Sequence, residues 1–209
     1  MSEFRPVEGD FNVGEARFAI VVARWNGNIT ENLLKGALSA LARHNVADEK
    51  IDVIRVPGAF ELPATAMKIA EQGNVDTQYN LGEMYREGLG VPQNDKTAMK
   101  WFRLAAEQGN AKAQNSLGFM YDNEQGVPQN YKTAVKWYTL AAKQGDADAQ
   151  FNLGVMYRKG LGVPQNDKTA VKWYRLAAEQ GDADAQYNLG LMYDKGQGVP
   201  QNHKNAVKW

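Results

Sequence analysis

GDADAQFNLGVMYRKGLGVPQNDKTAVKWYRLAAEQ, residues 145–180, carries two helical patterns separated by a forced break. In its first half Ala149, Leu153, Met156 and Tyr157 recur at the spacing that places side chains on one face of a helix. Asp146 is positioned to cap that helix, and Lys159-Gly160-Leu161-Gly162 stops it. Val163-Pro164-Gln165 cannot continue it, because Pro164 lacks a backbone donor and biases Val163 away from helical geometry. Asn166 then caps a second helix, Asp167 to Gln180, with Ala170, Trp173, Tyr174 and Ala177 as its apolar stripe. Gly181 ends that helix by accepting a left-handed conformation. The segment is a helix-turn-helix.

The same signals recur along the chain at a step of 36. Gly73, Gly109, Gly145 and Gly181 keep it, as do Trp101, Trp137, Trp173 and Trp209 and the Val-Pro-Gln-Asn blocks that begin at Val91, Val127, Val163 and Val199. Residues 73–108, 109–144, 145–180 and 181–209 are therefore four units, the last shorter than the others. A repeat of this length whose units each expose an apolar face buries that face by stacking. Gly154 interrupts the middle of a helix, where glycine costs about 1 kcal/mol relative to alanine. Its recurrence in all units implies that two helices approach closely there. The Trp, Tyr, Met and Leu at helical spacing are expected to be core and inter-repeat packing, with no ligand cage among them.

Composition limits what the chain can do. Of 209 residues, 24 are Lys or Arg, 24 are Asp or Glu and none is Cys. Disulfide staples and thiolate metal sites are excluded, and no metal site or cofactor is expected. The balanced charge offers no basic face for nucleic acid. No apolar run approaches the roughly 18 residues of a membrane span, and the start of the chain lacks a secretory pattern, so a soluble cytoplasmic protein is expected.

Residues 1–72 are of a different kind, since all nine Tyr and four of the five Trp lie beyond them. Phe18–Ala23 and Ile51–Val56 are short β-branched runs of the type buried in parallel sheets. A turn at Asn26-Gly27-Asn28 and a helix from about Thr30 to Arg43, with Leu33, Leu34, Ala37, Leu38 and Leu41 inward, lie between them. Another helix is expected over 60–72. The β-α-β-α order is the opening of an α/β layered domain.

Across 73–209, Ala-x-Ala-Gln-x-Asn-Leu-Gly-x-Met-Tyr, then Gly-x-Gly-Val-Pro-Gln-Asn, then Ala-x-x-Trp-Tyr-x-x-Ala-Ala-x-Gln-Gly resembles the Sel-one-like repeat, a relative of the tetratricopeptide repeat. The resemblance implies a mainly α fold, a right-handed α-solenoid whose concave face binds a protein or peptide, with no catalytic residues of its own. In the first 72 residues, Ala23-Arg-Trp-Asn-x-x-Ile-Thr30, Leu34-x-Gly-Ala37 and Val56-Pro-Gly-Ala-Phe-Glu-Leu-Pro63 resemble the N-terminal half of 6,7-dimethyl-8-ribityllumazine synthase, over roughly residues 10–72. That family makes the riboflavin precursor. By this resemblance Trp25 would stack on the pyrimidinedione ring, Ala59 and Glu61 would hold the ribityl chain, and Asn26 would belong to the same substrate site.

The family's later segment, with its phosphate-binding backbone and catalytic His, has no counterpart after residue 72. The truncated β-α-β-α fragment thus keeps half a substrate site and no catalytic residue. His44 at a helix end and His203 in a first turn, where other units have Asp95, Tyr131 and Asp167, are expected to do no chemistry. The word Ala70-Glu71-Gln72-Gly73 suits both families and marks the join of a fusion. Three functions follow: an interaction scaffold, a lumazine synthase by lineage lacking half its site, and a chimera without selected function. Self-association through the open sheet edge or the uncapped last repeat is a further expectation.

Overall fold

The computed structural model describes residues 18–23, 27–43, 46–47, 50–56 and 62–209. The chain divides into two compact units, Met1–Lys68 and Ile69–Trp209.

In the first, β1 (Phe18–Ala23) and β2 (Ile51–Val56) pair in parallel, with Phe18 opposite Ile51 and Ala23 opposite Val56. Helix α1 (Gly27–Arg43) connects them, as parallel pairing requires. It begins at Gly27, so Gly27 and Asn28 belong to its first turn and not to the turn expected there. Leu34 is buried, but Leu33 is 67% exposed, against expectation. The two residues are adjacent, about 100° apart around the helix, and only one can sit on the narrow buried face. Helix α2 (Leu62–Glu71) accommodates Pro63 in its first turn, where a missing donor is harmless.

The second unit is a run of helices in pairs: α3 (Val75–Glu87) with α4 (Asp95–Glu107), α5 (Ala111–Asp122) with α6 (Tyr131–Lys143), α7 (Ala147–Lys159) with α8 (Asp167–Glu179), and α9 (Ala183–Lys195) with α10 (His203–Lys208). The first helix of each pair is called A here and the second B. Their starts are capped as the sequence requires: Asp146 Oδ1 accepts from the Ala149 amide at 2.8 Å and Asn166 Oδ1 from the Thr169 amide at 2.9 Å. Gly160 ends α7 with φ 71°, and Gly181 follows α8 with φ 93°.

The buried clusters continue from one pair into the next. Ala134, Val135, Tyr138, Ala141 and Ala142 of α6 form one cluster with Ala149, Leu153 and Met156 of α7, and the same arrangement joins α4 to α5 and α8 to α9. Each unit therefore lacks a complete core until the next one stacks on it, which is what makes this an α-solenoid.

The fully buried aromatic in each of the first three units is not the recurring Trp. Phe102, Tyr138 and Tyr174 are at most 1% exposed, whereas Trp101, Trp137, Trp173 and Trp209 are all half-buried at the margin of the clusters. The buried ring explains the mid-helix glycine. A Cβ added at Gly118 would lie 2.5 Å from the Tyr138 ring, and one at Gly154 would lie 2.6 Å from the Tyr174 ring. Helices α3, α5 and α7 thus each offer a bare backbone surface on which the ring of the following B helix lies.

A second inter-repeat device is polar. Gln78, Gln114 and Gln150 are at most 5% exposed. Their amides donate to the carbonyls of Ala70, Ala106 and Ala142, the ends of the preceding helices, at 2.9, 3.0 and 3.2 Å. Their oxygens accept from Gln108, Gln144 and Gln180 at 2.7, 2.8 and 2.8 Å. The bond to Ala70 shows that the last turn of α2 is tied to α3 as every B helix is tied to the next A helix.

Candidate functional site

The residues that the lumazine-synthase resemblance singles out, Trp25, Asn26, Ala59 and Glu61, lie outside the described residues, as does His44. His203 is described: its Nδ1 is 2.8 Å from Asp194 Oδ1, and both side chains are exposed. Among the described residues no cluster of His, Cys, Asp or Glu could hold a metal ion, and no helix is long and apolar enough to cross a membrane.

What the repeats do present is the outer face of the A helices. Since Leu117, Gly118 and Met120 point into the core, the opposite side of α5 carries Lys112, Asn115, Phe119 and Asp122. The same positions hold Asp76, Tyr79, Glu83 and Arg86 in α3, Asp148, Phe151, Val155 and Arg158 in α7, and Asp184, Tyr187, Leu191 and Asp194 in α9. Phe119 is 37% and Tyr187 66% exposed, while Tyr79 and Phe151 lean over their units' buried rings with centroids 5.8 Å from Phe102 and Tyr174. Polar bonds join neighbouring A helices across this face: Asn152 Nδ2 donates to Asn115 Oδ1 at 3.2 Å, and Arg158 Nη1 donates to Asn188 Oδ1 at 2.7 Å. The result is a continuous mixed surface of aromatic, aliphatic and charged groups, fixed by the packing beneath it.

Sequence reading located the units but not this face. A signal for it existed, because Phe151, Val155 and Arg158 give way to Tyr187, Leu191 and Asp194 in α9 while Gln150, Leu153, Gly154 and Met156 have identical counterparts there. A buried position must satisfy the same packing in each unit; an outward one need not.

Charge on this side is partly desolvated. Burial raises the Asp122 carboxyl above the usual carboxylate range, opposed by the Tyr138 hydroxyl donating to it at 3.4 Å and by Lys159. The same burial, with the nearby Asp122 carboxylate, drives the Tyr138 phenol upward. Asp146 is also raised, chiefly by burial, although the Ala149 amide that it caps works the other way. A carboxyl raised in the folded state binds protons more readily there than in the unfolded chain. Stability from such a group is full below the unfolded pKa and is lost as pH rises through the folded one. Asn74 and Asn110 already cap the equivalent helices. Asp146→Asn should therefore raise the melting temperature at pH 7, and this advantage should vanish below pH 3.8, the unperturbed value. Thermal melts at pH 3.5 and 7 test it; a variant less stable than the parent at pH 7 would refute the assignment.

Comparison with known proteins fits this architecture. The model of the Sel1 repeat matches residues 75–110, 111–146, 147–182 and 183–209. That of 6,7-dimethyl-8-ribityllumazine synthase matches residues 15–89, so it runs past the expected end at 72 and through α3. Among solved structures, a protective antigen of uropathogenic Escherichia coli displaying an SLR fold is 44% identical with a TM-score of 0.69, over 70% of this chain and 32% of that one. A Sel1 repeat protein from Oxalobacter formigenes is 34% identical with a TM-score of 0.69, over 85% of this chain and 68% of that one. The chain thus spans about a third of the first relative's length and about two thirds of the second's. Four consecutive matches cover every helix pair from α3 to α10, each with its buried ring position or its glycine floor, and the chain belongs to the Sel1 repeat family.

Proposed function

We propose that the repeats, residues 73–209, form a protein-interaction scaffold that holds a protein or peptide against the A-helix face, the concave side of the solenoid. Residues 1–72 are a lumazine-synthase-like fragment carried at its N-terminal side. One observation supports this most: α7 and α9 keep the same core residues while Phe151, Val155 and Arg158 on the A-helix face give way to Tyr187, Leu191 and Asp194, so the surface is individual where the packing is not. Aromatic and arginine side chains such as Tyr79, Phe119, Tyr187 and Arg158 are of the types that anchor interfaces. Lack of cysteine suits a reducing compartment, and the scaffold is assigned to the cytoplasm.

A photo-crosslinking residue placed at Val155 should give discrete adducts in cells that Phe119→Asp abolishes. The same residue placed at Gln165, in the exposed loop between α7 and α8, is the control. Equal adducts from both sites would sink the assignment. The enzyme reading is favoured by the match over residues 15–89, and it has a direct assay. Purified protein should form no lumazine from the two substrates, because a positioned His alone contributes about 10²- to 10⁴-fold. Turnover abolished by Trp25→Ala or Glu61→Ala would overturn that expectation.

A further inference from the structure

The chain as a whole is neutral, but the two sets of helices are not. Helices α4, α6 and α8 carry nine Lys and Arg against four Asp and Glu, whereas α3, α5, α7 and α9 carry five against seven. The excess on the B helices is ordered. Each opens with two lysines one turn apart, Lys96 and Lys100, Lys132 and Lys136, Lys168 and Lys172, and all six are exposed. Residues four apart share a helix face, with Cβ atoms about 5–6 Å from each other. None of the six forms an ion pair with another described residue, whereas Arg86 does with Glu83 and Glu87, and His203 with Asp194. They also sit in the half of the helix whose macrodipole disfavours cations.

Beside each pair stands an exposed leucine: Leu104, Leu140 and Leu176, at 44%, 46% and 44%. On α4 the two features enclose a cavity of about 430 Å³, lined by Lys96, Met99, Lys100, Arg103, Leu104, Glu107 and Gly126. Its apolar part is Met99 and Leu104 and its rim is cationic, except for Glu107. Arg103 is held in place by donating to the Tyr121 hydroxyl at 3.0 Å.

We propose that the outer faces of α4, α6 and α8 form a second docking surface, separate from the A-helix face, for an acidic amphipathic helix of a partner protein. Its carboxylates bridge the lysine pairs, and one of its apolar side chains enters the α4 cavity against Met99 and Leu104. Charge complementarity selects an acidic partner. Apolar anchors at helical spacing are how a helix lies in a groove. A nucleic-acid backbone matches the lysines but has nothing to bury on three leucines, and a flat bilayer does not fill a side-chain-sized recess.

The test uses the full chain and a fluorescein-labelled helical peptide of Glu, Leu and Ala, with Leu on one face and Glu flanking it. Binding should be saturable and should weaken at least tenfold between 50 and 200 mM salt. Lys132→Glu combined with Lys136→Glu should weaken it at least tenfold while leaving the melting temperature unchanged, because both side chains are exposed. Leu104→Gln should weaken the Leu-bearing peptide but not poly-glutamate. Absence of binding at 50 mM salt, or indifference to the double lysine variant, would overturn the proposal. So would phosphatidylserine vesicles or duplex DNA binding the parent more tightly than the peptide does.

Discussion

Gly154→Ala should destabilise the protein by about 1–3 kcal/mol, the range for an overpacked core, even though alanine is the better helix former by about 1 kcal/mol. The added Cβ would stand 2.6 Å from the Tyr174 ring, which is buried on α8 in one cluster with Ala170 and Ala177. Tyr174→Ala, which empties the same space from the other side, should cost about 3–5 kcal/mol. The decisive measurement is their combination. Once the ring is gone, the Cβ occupies a cavity instead of a clash, and Gly154→Ala should become neutral or stabilising. Urea unfolding of the four proteins should therefore give a large favourable coupling energy. Additive effects, or a Gly154→Ala variant more stable than the parent, would mean that the ring does not rest on the helix. Gly190→Ala is the internal control: its Cβ would meet the Ala206 carbonyl oxygen at 3.0 Å and no ring, so its cost should be smaller.

This pairing of ring and glycine shows how far the sequence could be read. Helix starts and stops were legible because they are local chemistry: Asn166 caps, Pro164 breaks and Gly160 turns whatever surrounds them. The mid-helix glycines correctly implied close approach. What approached them was harder to see, since Trp173 and Tyr174 are adjacent and both large, and a helical wheel places either on the edge of an apolar stripe. The centre of the buried stripe runs through Ala170, Val171, Tyr174, Ala177 and Ala178, leaving Trp173 at the margin. Terminal Trp209, like Trp173, is half-buried.

The functional surface was less legible still. Whole-chain neutrality hid the separation of charge between A and B helices, because charge is a sum and a sum has no position. Strands β1 and β2 lie where the β-branched runs placed them, but Trp25 and Glu61 were identified by resemblance and lie outside the described residues. The buried glutamines escaped notice because a polar side chain mid-helix reads as a solvated one until its partners are known.

Those glutamines supply the last expected result. Gln150 is 4% exposed, its amide donates to the Ala142 carbonyl at 3.2 Å, and its oxygen accepts from Gln180 at 2.8 Å. It therefore ties the end of α6 to α7 and α7 to the end of α8. Removing one partner of a buried hydrogen bond leaves the other desolvated, at about 1–3 kcal/mol per group. The Ala142 carbonyl retains the amides of Gln144 and Gly145, and Gln180 is exposed, so neither is wholly stranded. Gln150→Ala should thus cost about 2 kcal/mol, near the middle of that range. Gln186 occupies the same position in α9 and donates to the Ala178 carbonyl at 3.1 Å, yet it is only half-buried, and among the described residues no glutamine donates to it as Gln180 does to Gln150. Gln186→Ala should cost clearly less. Because the coupling between neighbouring units sets how sharply a solenoid unfolds, Gln150→Ala should also broaden the urea transition where Gln186→Ala leaves it sharp. Equal costs and equal slopes would show that the glutamines fill space and that the bonds between them add nothing to the joining of the repeats.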